Sequence, residues 1–300
     1  MPWSWVQKAD NNSEWLSAKI KEWTIQQETW KQQLLLEPED LSSTVDMERL
    51  FETFPMIGGL DITPDKEQDD IAYVGIVVLS SKSLQVKYCQ THCVKLQVPY
   101  VPGFLGFREA PALINAVECL KREKVDCFPQ VLLVDGNGVA KSLLSVDGLN
   151  TLQIKEQICE EGKRWLPLLG SSNRVLGAAL LSNECVKRPI FVSVGYRIKL
   201  LEAINLVFHT CRYRIPEPIR IADKISSSCR VFLFILKCVV KTLRGCQSNR
   251  KQNAWSLIEI EMKCHIQFAT LETRFSWILS VHVCDLNTSL VPFDVVSIIS

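Results

Sequence analysis

The stretch of chain between residues 56 and 138 constrains the fold more than any other. It contains three apolar, strand-like runs, MIGGLDIT, IAYVGIVVLS and LQVKYCQTHCVKL, separated by the turn sequences PDKEQDD and SSKS. The helical pattern PALINAVECLKRE and a further strand, PQVLLVDGNG, follow. This order of three strands, one helix and one strand predicts an α/β fold. The fourth strand would return to a mixed sheet through the helix.

The segments on either side of this block differ from it in character. Residues 1–55 are predicted to form an N-terminal helical segment, because Trp23, Trp30 and Leu34 recur at helical spacing among charges. Residues 56–228 are predicted to form the main domain. Residues 229–300 form an unassigned tail, in which apolar, Cys and Ser residues follow no clear period. We therefore expect the tail to pack poorly against the domain.

The composition indicates an intracellular protein. The chain has twelve cysteines without a CxxC pair, and no secretory signal opens it, so we expect reduced thiols. Its longest apolar run, VFLFILKCVV, is too short to cross a bilayer and contains Lys237. The hydrophobic fraction of 47% is ample for a buried core, and the net charge of +1 argues neither for nor against a polyanionic partner.

Three carboxylates fall on separate elements of the predicted sheet. Asp61 lies within the first strand, Glu109 just before the helix, and Asp135 at the end of the fourth strand. Mg²⁺ prefers carboxylate oxygens, water and substrate phosphate, and it supplies what phosphodiester hydrolysis needs. Taken singly, Asp135 is an ordinary Asp-Gly turn residue and Glu109 a solvated residue at a helix start. Asp61 between Leu60 and Ile62 is harder to explain, because a buried unpaired carboxylate is costly.

A loop and a basic segment are candidates for nucleic-acid contact. In PYVPGFLGF two prolines stiffen the chain around Tyr100, an arrangement that suits base stacking, although packing on a neighbouring loop explains Tyr100 equally well. In HTCRYRIPEPIR, Arg212, Arg214 and Arg220 form either a phosphate-binding patch or a solvated basic face. The CQTHC run offers Cys and His, but alternating strand geometry separates them, so ordinary strand residues are favoured over a zinc site.

At these motifs the chain resembles the endonuclease V family, inosine-specific nucleases with an RNase H-like fold. The matching segments are IGGLDI, PYVPGFLGFREAP, PQVLLVDGNG, SVDGL, PLLGSS, VLGAAL, RPIFVSVGYRI and CRYRIPEPIRIAD. The resemblance implies Mg²⁺, which Mn²⁺ can replace, held by Asp61 and Asp135. It also implies cleavage 3′ to inosine in single-stranded RNA or to deoxyinosine in DNA, by a monomer in the cytoplasm and the nucleus or nucleolus.

The resemblance also assigns roles to individual residues. Glu109 and Asp223 would complete the acidic site, and Lys141 would be a catalytic lysine near the phosphate. Tyr100 would wedge beside the extruded base, while Gly103 and Leu105 would offer backbone groups to the hypoxanthine edge. The implied substrate-binding residues are Pro99, Tyr100, Val101, Pro102, Gly103, Leu105, Arg212 and Arg214.

One departure from the family lies at Val139 and Ala140. Family members carry a loop, a helix and a strand between VDGNG and GVAK, whereas here GNGV joins AKSLL directly. A crossover unit of about two dozen residues is therefore absent, and with it the fifth strand of the core sheet. This loss would expose the edge of the fourth strand or draw a later strand into the gap. Two functions follow: an active inosine endonuclease, or a catalytically impaired isoform that acts at most as a nucleic-acid-binding protein.

Overall fold

The predicted block of strands forms the centre of one mixed sheet in the computed structural model. The structure describes residues 4–33, 41, 43–136, 151–169, 175–183, 186–194, 198–245 and 294–299. The helices are α1 (Ser4–Gln33), α2 (Met47–Thr53), α3 (Leu105–Glu123), α4 (Thr151–Glu160), α5 (Leu200–Thr210) and α6 (Glu217–Gly245), with a 3₁₀ turn at Val125–Cys127. The strands are β1 (Met56–Pro64), β2 (Ile71–Ser80), β3 (Val86–Lys95), β4 (Val131–Asp135), β5 (Trp165–Leu169), β6 (Val175–Leu180), β7 (Ile190–Val194) and β8 (Asp294–Ile299).

The order of the strands confirms the predicted α/β core. The sheet has eight strands in the order β3-β2-β1-β4-β8-β7-β6-β5. β1, β2 and β3 form an antiparallel meander, and β4 returns through α3 to pair parallel with β1. The chain therefore forms a mixed sheet flanked by helices, as the order of strands and helix predicts.

The position beside β4 is occupied by the end of the chain. β8 pairs parallel with β4 and antiparallel with β7, so that it lies in the interior of the sheet. A later strand beside β4 is the second of the two arrangements expected at this edge, and the loss of a family strand itself stays a prediction. These six residues of the predicted tail have strand partners on both sides, which satisfies their backbone groups, and the packing of the tail stays a prediction. The structure does not describe residues 246–293.

The hydrophobic core has two layers, one on each face of the sheet. On one face α3 covers β1, β2 and β4, and α4 covers β5, β6 and β7. On the other face α5 and the start of α6 cover β4, β6 and β7. That second cluster buries Ile57, Val131, Leu133, Ala178, Leu180, Ile190, Val192, Ala203, Ile204, Leu206, Val207 and Ile219, among others.

Two strand glycines allow α6 to lie unusually close to the sheet. A Cβ atom added to Gly59 would stand 2.2 Å from the backbone of Pro218, and one added to Gly75 would stand 2.2 Å from the carbonyl oxygen of Ala222. Both distances are far below van der Waals contact. The glycines in IGGLD and YVGIV therefore bring α6 against β1 and β2, and α6 carries Asp223 to the same region as Asp61.

Two helices differ from the sequence-based expectation. α3 begins at Leu105, so Glu109 lies inside the helix instead of just before it, and Pro111 is tolerated within the second turn. Stacking of Phe107 on Trp23 and Trp30 of α1 fixes the first turn of α3 and outweighs the backbone hydrogen bond that Pro111 cannot donate. α6 extends to Gly245, so the domain boundary expected at residue 228 falls inside a helix.

Among the described residues, no helix combines the length and the apolar character that a membrane crossing requires.

Candidate acidic site

The sheet register places Asp61 and Asp135 side by side. Leu60 of β1 pairs with Val134 of the parallel strand β4, so the next residue on each strand is an aspartate. Side chains alternate between the faces of a sheet, and adjacent strands lie about 4.8 Å apart. Both aspartates therefore belong to the face that α6 covers.

The carboxyl group of Asp61 is partly buried and held by hydroxyl groups. Ser226 Oγ of α6 donates a hydrogen bond of 3.0 Å to Asp61 Oδ2, and Thr63 Oγ1 lies 3.4 Å from the same oxygen. The pKa of Asp61 is raised to about 6, chiefly by burial and then by the charges of Asp223 and Asp135, while the hydrogen bond from Ser226 opposes the rise. Three carboxylates thus lie within electrostatic reach of one another.

Glu109 joins this group from the opposite side of the sheet. It lies in the first turns of α3, the helix that packs on the other face of β1 and β4. Its pKa is raised to about 7, chiefly by burial and to a smaller extent by the charges of Asp61 and Asp135, while the Arg108 guanidinium opposes the rise. A carboxyl group with this pKa exchanges a proton readily near neutral pH.

Two serines that follow Asp223 on α6 add hydroxyl groups to the site, which the sequence analysis did not identify. Ser227 Oγ donates to Asp223 Oδ1 at 3.2 Å, and Ser226 Oγ lies 2.7 Å from Thr63 Oγ1. The signal was available in the sequence, because Ser226 and Ser227 follow Asp223 at the spacing of one helical turn. The domain boundary expected at residue 228 placed these serines at the end of the domain, whereas the structure places them inside α6.

The four acids supply only oxygen donors, which is the chemistry that Mg²⁺ and Mn²⁺ prefer. Within the part of the chain that the structure describes, no three His, Cys, Asp or Glu side chains already stand in coordinating geometry. Asp135 is exposed, so its side chain has room to turn toward Asp61. Burial and the charges of the neighbouring carboxylates together raise the pKa of Asp61 and of Glu109, and a bound divalent cation would offset both effects. The residues therefore fit a cation, and joint coordination by Asp61 and Asp135 stays a prediction.

The loop expected to contact a base is exposed and has a defined turn. Phe104 N–H donates to the carbonyl oxygen of Val101 at 3.0 Å, Pro102 holds the second position of the turn, and Gly103 has φ +85°. These features define a type II turn, in which the third position requires a positive φ. Tyr100, just before the turn, is 62% exposed. The ring is thus available to a ligand, and the alternative that it packs on a neighbouring loop loses support.

Helix α1 holds this loop against the domain. Phe107 stacks between Trp23 and Trp30, with ring centroids 5.1 Å and 5.5 Å apart and interplanar angles of 17°. Between them on the helix, Gln27 Nε2 donates to the carbonyl oxygen of Gly103 at 3.0 Å. The N-terminal helix therefore supports the turn that follows Tyr100. Leu105, the first residue of α3, is half-buried next to this turn.

The arginines of the basic segment have different environments. Arg220 forms a two-bond ion pair with Glu217 at 2.7 Å and lies over the ring of Tyr213, so it serves the fold. Arg214 Nε donates to the carbonyl oxygen of Arg188 at 3.3 Å, and Arg212 is exposed. Contact of Arg212 and Arg214 with nucleic acid stays a prediction. Lys141, the predicted catalytic lysine, and Val139 and Ala140 lie outside the described residues.

Comparison with known proteins gives consistent matches. The family model "Endonuclease V" matches residues 39–142 and 137–224. Mouse endonuclease V is 43% identical over 199 residues, which are 58% of this chain and 59% of the mouse protein, so the chain spans less than two thirds of that relative.

Two solved structures share the fold. The catalytic domain of human endonuclease V is 34% identical, with a TM-score of 0.59 over 70% of this chain and 95% of that chain. Ciona intestinalis endonuclease V, in complex with a 24mer DNA containing an inosine followed by a ribo-adenosine, is 29% identical, with a TM-score of 0.60 over 71% of this chain and 97% of that chain.

Proposed function

Because the chain belongs to the endonuclease V family, we propose that it is a metal-dependent endonuclease that hydrolyses a phosphodiester bond on the 3′ side of inosine. One observation carries this proposal. Asp61, Glu109, Asp135 and Asp223 come from four different elements and influence one another's charge at one end of the sheet. Such a gathering is costly unless a cation offsets it, because like charges held close repel.

Mg²⁺ is the proposed cation, with Mn²⁺ as a substitute. When bound, it would activate a water molecule and neutralise charge that develops on the phosphate. Asp61 and Asp135 would hold it, and Asp223 would add a further carboxylate from α6. Glu109, with a pKa of about 7, would accept or return a proton near the attacking water. Lys141 would add positive charge beside the phosphate.

The substrate is proposed to be an inosine-containing nucleic-acid strand, either single-stranded RNA or DNA with deoxyinosine. The Ciona intestinalis relative, crystallised with inosine-containing DNA, supports this choice of base. Tyr100 would stack beside the displaced inosine, and the turn at Pro102 and Gly103 would bring backbone groups to its edge. Arg212 and Arg214 would contact phosphates. The proposed setting is a monomer in the cytoplasm and in the nucleus or nucleolus.

The test is a cleavage assay with the 300-residue protein on matched strands that contain inosine or guanosine at one position. Single-stranded RNA, single-stranded DNA and duplex DNA would be compared with Mg²⁺, with Mn²⁺ and with a chelator. We expect metal-dependent cleavage on the 3′ side of inosine and none at guanosine. The variant Asp135→Asn should be inactive while it melts as the parent does. Cleavage that continues in the chelator, or that ignores inosine, would contradict the proposal.

A second function has support of its own. The two matches to the family model meet at residues 137–142, as expected for a chain that lacks an internal piece of the family sequence there. A chain without that piece would bind inosine-containing strands through Tyr100 and the basic residues and cleave them poorly. Strand binding measured in Ca²⁺, together with the cleavage assay in Mg²⁺, separates the two functions. Tight, inosine-selective binding without cleavage would favour the impaired form.

A further inference from the structure

The last strand of the chain occupies the one position that joins the two parts of the sheet. β8 lies between β4 and β7, with five paired residues on the first side and four on the second. Without β8, the four strands β3-β2-β1-β4 and the three strands β7-β6-β5 would share no hydrogen bonds. β4 and β7 would each present an open edge, which proteins avoid in the middle of a sheet.

The hydrophobic core crosses the same position. The cluster under α5 contains Val131 and Leu133 of β4 on one side of β8, and Leu180 and Val192 of β6 and β7 on the other. All four side chains are fully buried. The two parts of the sheet therefore need a strand between them for this cluster to stay closed, since a gap in a packed core forfeits its contacts.

The sequence of β8 suits an interior strand. DVVSII contains four β-branched apolar residues, a composition that favours strands and especially those flanked on both sides. β8 also runs parallel to β4, so it continues the direction that β4 shares with β1.

The register links this strand to the acidic site. Pairing between β1 and β4 ends at Leu60 and Val134, one residue before Asp135. Pairing between β4 and β8 continues one residue further, with Asp135 opposite Ile298. At the aspartate itself, the backbone partner of β4 is thus β8.

From this register and position, we infer that the C-terminal strand Asp294–Ile299 is a working part of the domain. It completes the core sheet within the same molecule, and it positions the backbone of Asp135. The inference treats β8 as a positioning element, and its structural part does not depend on the proposed nuclease activity. The domain therefore requires the six residues of β8, although they follow α6 by a long connection.

A cross-linking experiment tests the placement of β8. Ser193 and Ser297 are antiparallel partners, so the double variant Ser193→Cys, Ser297→Cys should form a disulfide under mild oxidation. The matched control is Ser193→Cys, Val296→Cys, because consecutive strand residues project to opposite faces. Peptide mass mapping identifies the disulfide among the native cysteines, and a non-reducing gel shows whether it lies within one chain. A disulfide between chains, or equal yields from both pairs, would overturn the inference.

A proline series tests the link to Asp135. Ile298→Pro removes the backbone N–H of the residue that pairs with both Asp135 and Val192, whereas Asp294→Pro changes only the first residue of the strand, where proline is tolerated. We expect Ile298→Pro to lower the melting temperature by roughly 5 °C or more and to abolish the stabilisation that Mg²⁺ gives. Asp294→Pro should keep both properties. If Ile298→Pro melts as the parent and responds to Mg²⁺ as the parent does, the inference is wrong.

A conservative substitution at the same position is the control for Ile298→Pro. Ile298→Val keeps the backbone N–H and the β-branched side chain, so it should have the melting temperature and the Mg²⁺ response of the parent. If the Ser193→Cys, Ser297→Cys disulfide forms while the parent protein cleaves no substrate, the position of β8 is confirmed and the nuclease proposal is wrong. The two failures are therefore distinguishable.

Discussion

Ser226 donates a hydrogen bond of 3.0 Å to Asp61 Oδ2, and this bond ties α6 to the first strand of the sheet across 165 positions of sequence. Ser226 is fully buried, and its hydroxyl lies 2.7 Å from that of Thr63. A donated hydrogen bond favours the ionised carboxylate, so it counteracts the effect of burial on the pKa of Asp61. By lowering the pKa, the hydroxyl keeps Asp61 ionised, and therefore available as an anionic ligand, down to a lower pH.

Replacing this hydroxyl should shift the pH dependence of cleavage. In Ser226→Ala the pKa of Asp61 should rise above about 6, because the opposing hydrogen bond is lost while burial remains. The acid limb of the pH–rate profile should then move to higher pH. The variant would lose more activity near pH 6 than near pH 9. Ser227→Ala is the control, since its hydroxyl contacts Asp223 instead. Identical acid limbs for Ser226→Ala and the parent would show that the bond has no role in ionisation.

The charge of Asp61 should destabilise the metal-free protein at neutral pH. The pKa of Asp61 is raised from 3.8 to about 6 in the folded state. Below about pH 4 the carboxyl is protonated in both states, and as pH rises through 6 the folded state loses the stability of the neutral form. Asp61→Asn should therefore raise the unfolding free energy of the metal-free protein at about pH 8 by about 1–3 kcal/mol. The gain should vanish near pH 4, as measured by denaturant unfolding in a chelator.

The same substitution at the nearby Asp65 should change the stability in the opposite direction. Asp65 accepts hydrogen bonds from the Tyr73 hydroxyl at 2.8 Å and from the backbone N–H of Glu67 at 2.9 Å. Asp65→Asn should therefore destabilise the protein, because an amide cannot accept both bonds as well. If Asp61→Asn and Asp65→Asn change stability in the same direction at pH 8, electrostatic strain is not what distinguishes Asp61.

A bound divalent cation should restore the folding stability that the charge of Asp61 removes. A cation that binds only the folded protein stabilises it, by about 2.7 kcal/mol when present at 100 times its dissociation constant. We expect Mg²⁺ to raise the melting temperature of the parent and to leave that of Asp61→Asn unchanged. Ca²⁺ serves as the comparison, since it accepts looser oxygen coordination. An equal rise in the parent and in Asp61→Asn would place the metal elsewhere.

The sequence predicted the elements of the site better than their extent. The run of strands and the order of β1 to β4 followed from alternating apolar residues and turns, which are local signals. Glu109 was placed just before the helix because Pro111 usually marks a helix start, yet aromatic stacking on α1 extends α3 back to Leu105. β8 could not be placed by such signals. Its partners are β4 and β7, more than 100 residues earlier in the chain, and pairing at that distance has no local pattern.

Two glycines should control how closely α6 approaches the sheet. A methyl group on Gly75 would stand 2.2 Å from the carbonyl oxygen of Ala222, so Gly75→Ala must push α6 outward. Overpacking of this kind costs about 1–3 kcal/mol, and the shift would draw Ser226 away from Asp61. Gly106→Ala is the control, because nothing lies within 4 Å of the added atom and alanine favours a helix. Thermal melting should show a loss for Gly75→Ala and none for Gly106→Ala. A Gly75→Ala protein as stable as the parent would contradict the tight packing.

Tyr100 should act in substrate binding through the face of its ring. It is 62% exposed beside a turn that α1 and Pro102 make rigid, so stacking on a base costs little ordering. Stacking contributes about 1–3 kcal/mol per base, so Tyr100→Leu should weaken binding of an inosine-containing strand by about tenfold or more. Tyr100→Phe keeps the ring and should bind within about threefold of the parent. Fluorescence anisotropy in Ca²⁺ measures the affinities without cleavage, and unchanged melting temperatures would show that both variants fold. If Tyr100→Leu binds as tightly as Tyr100→Phe, the ring does not stack on the substrate, and the loop recognises inosine through its backbone alone.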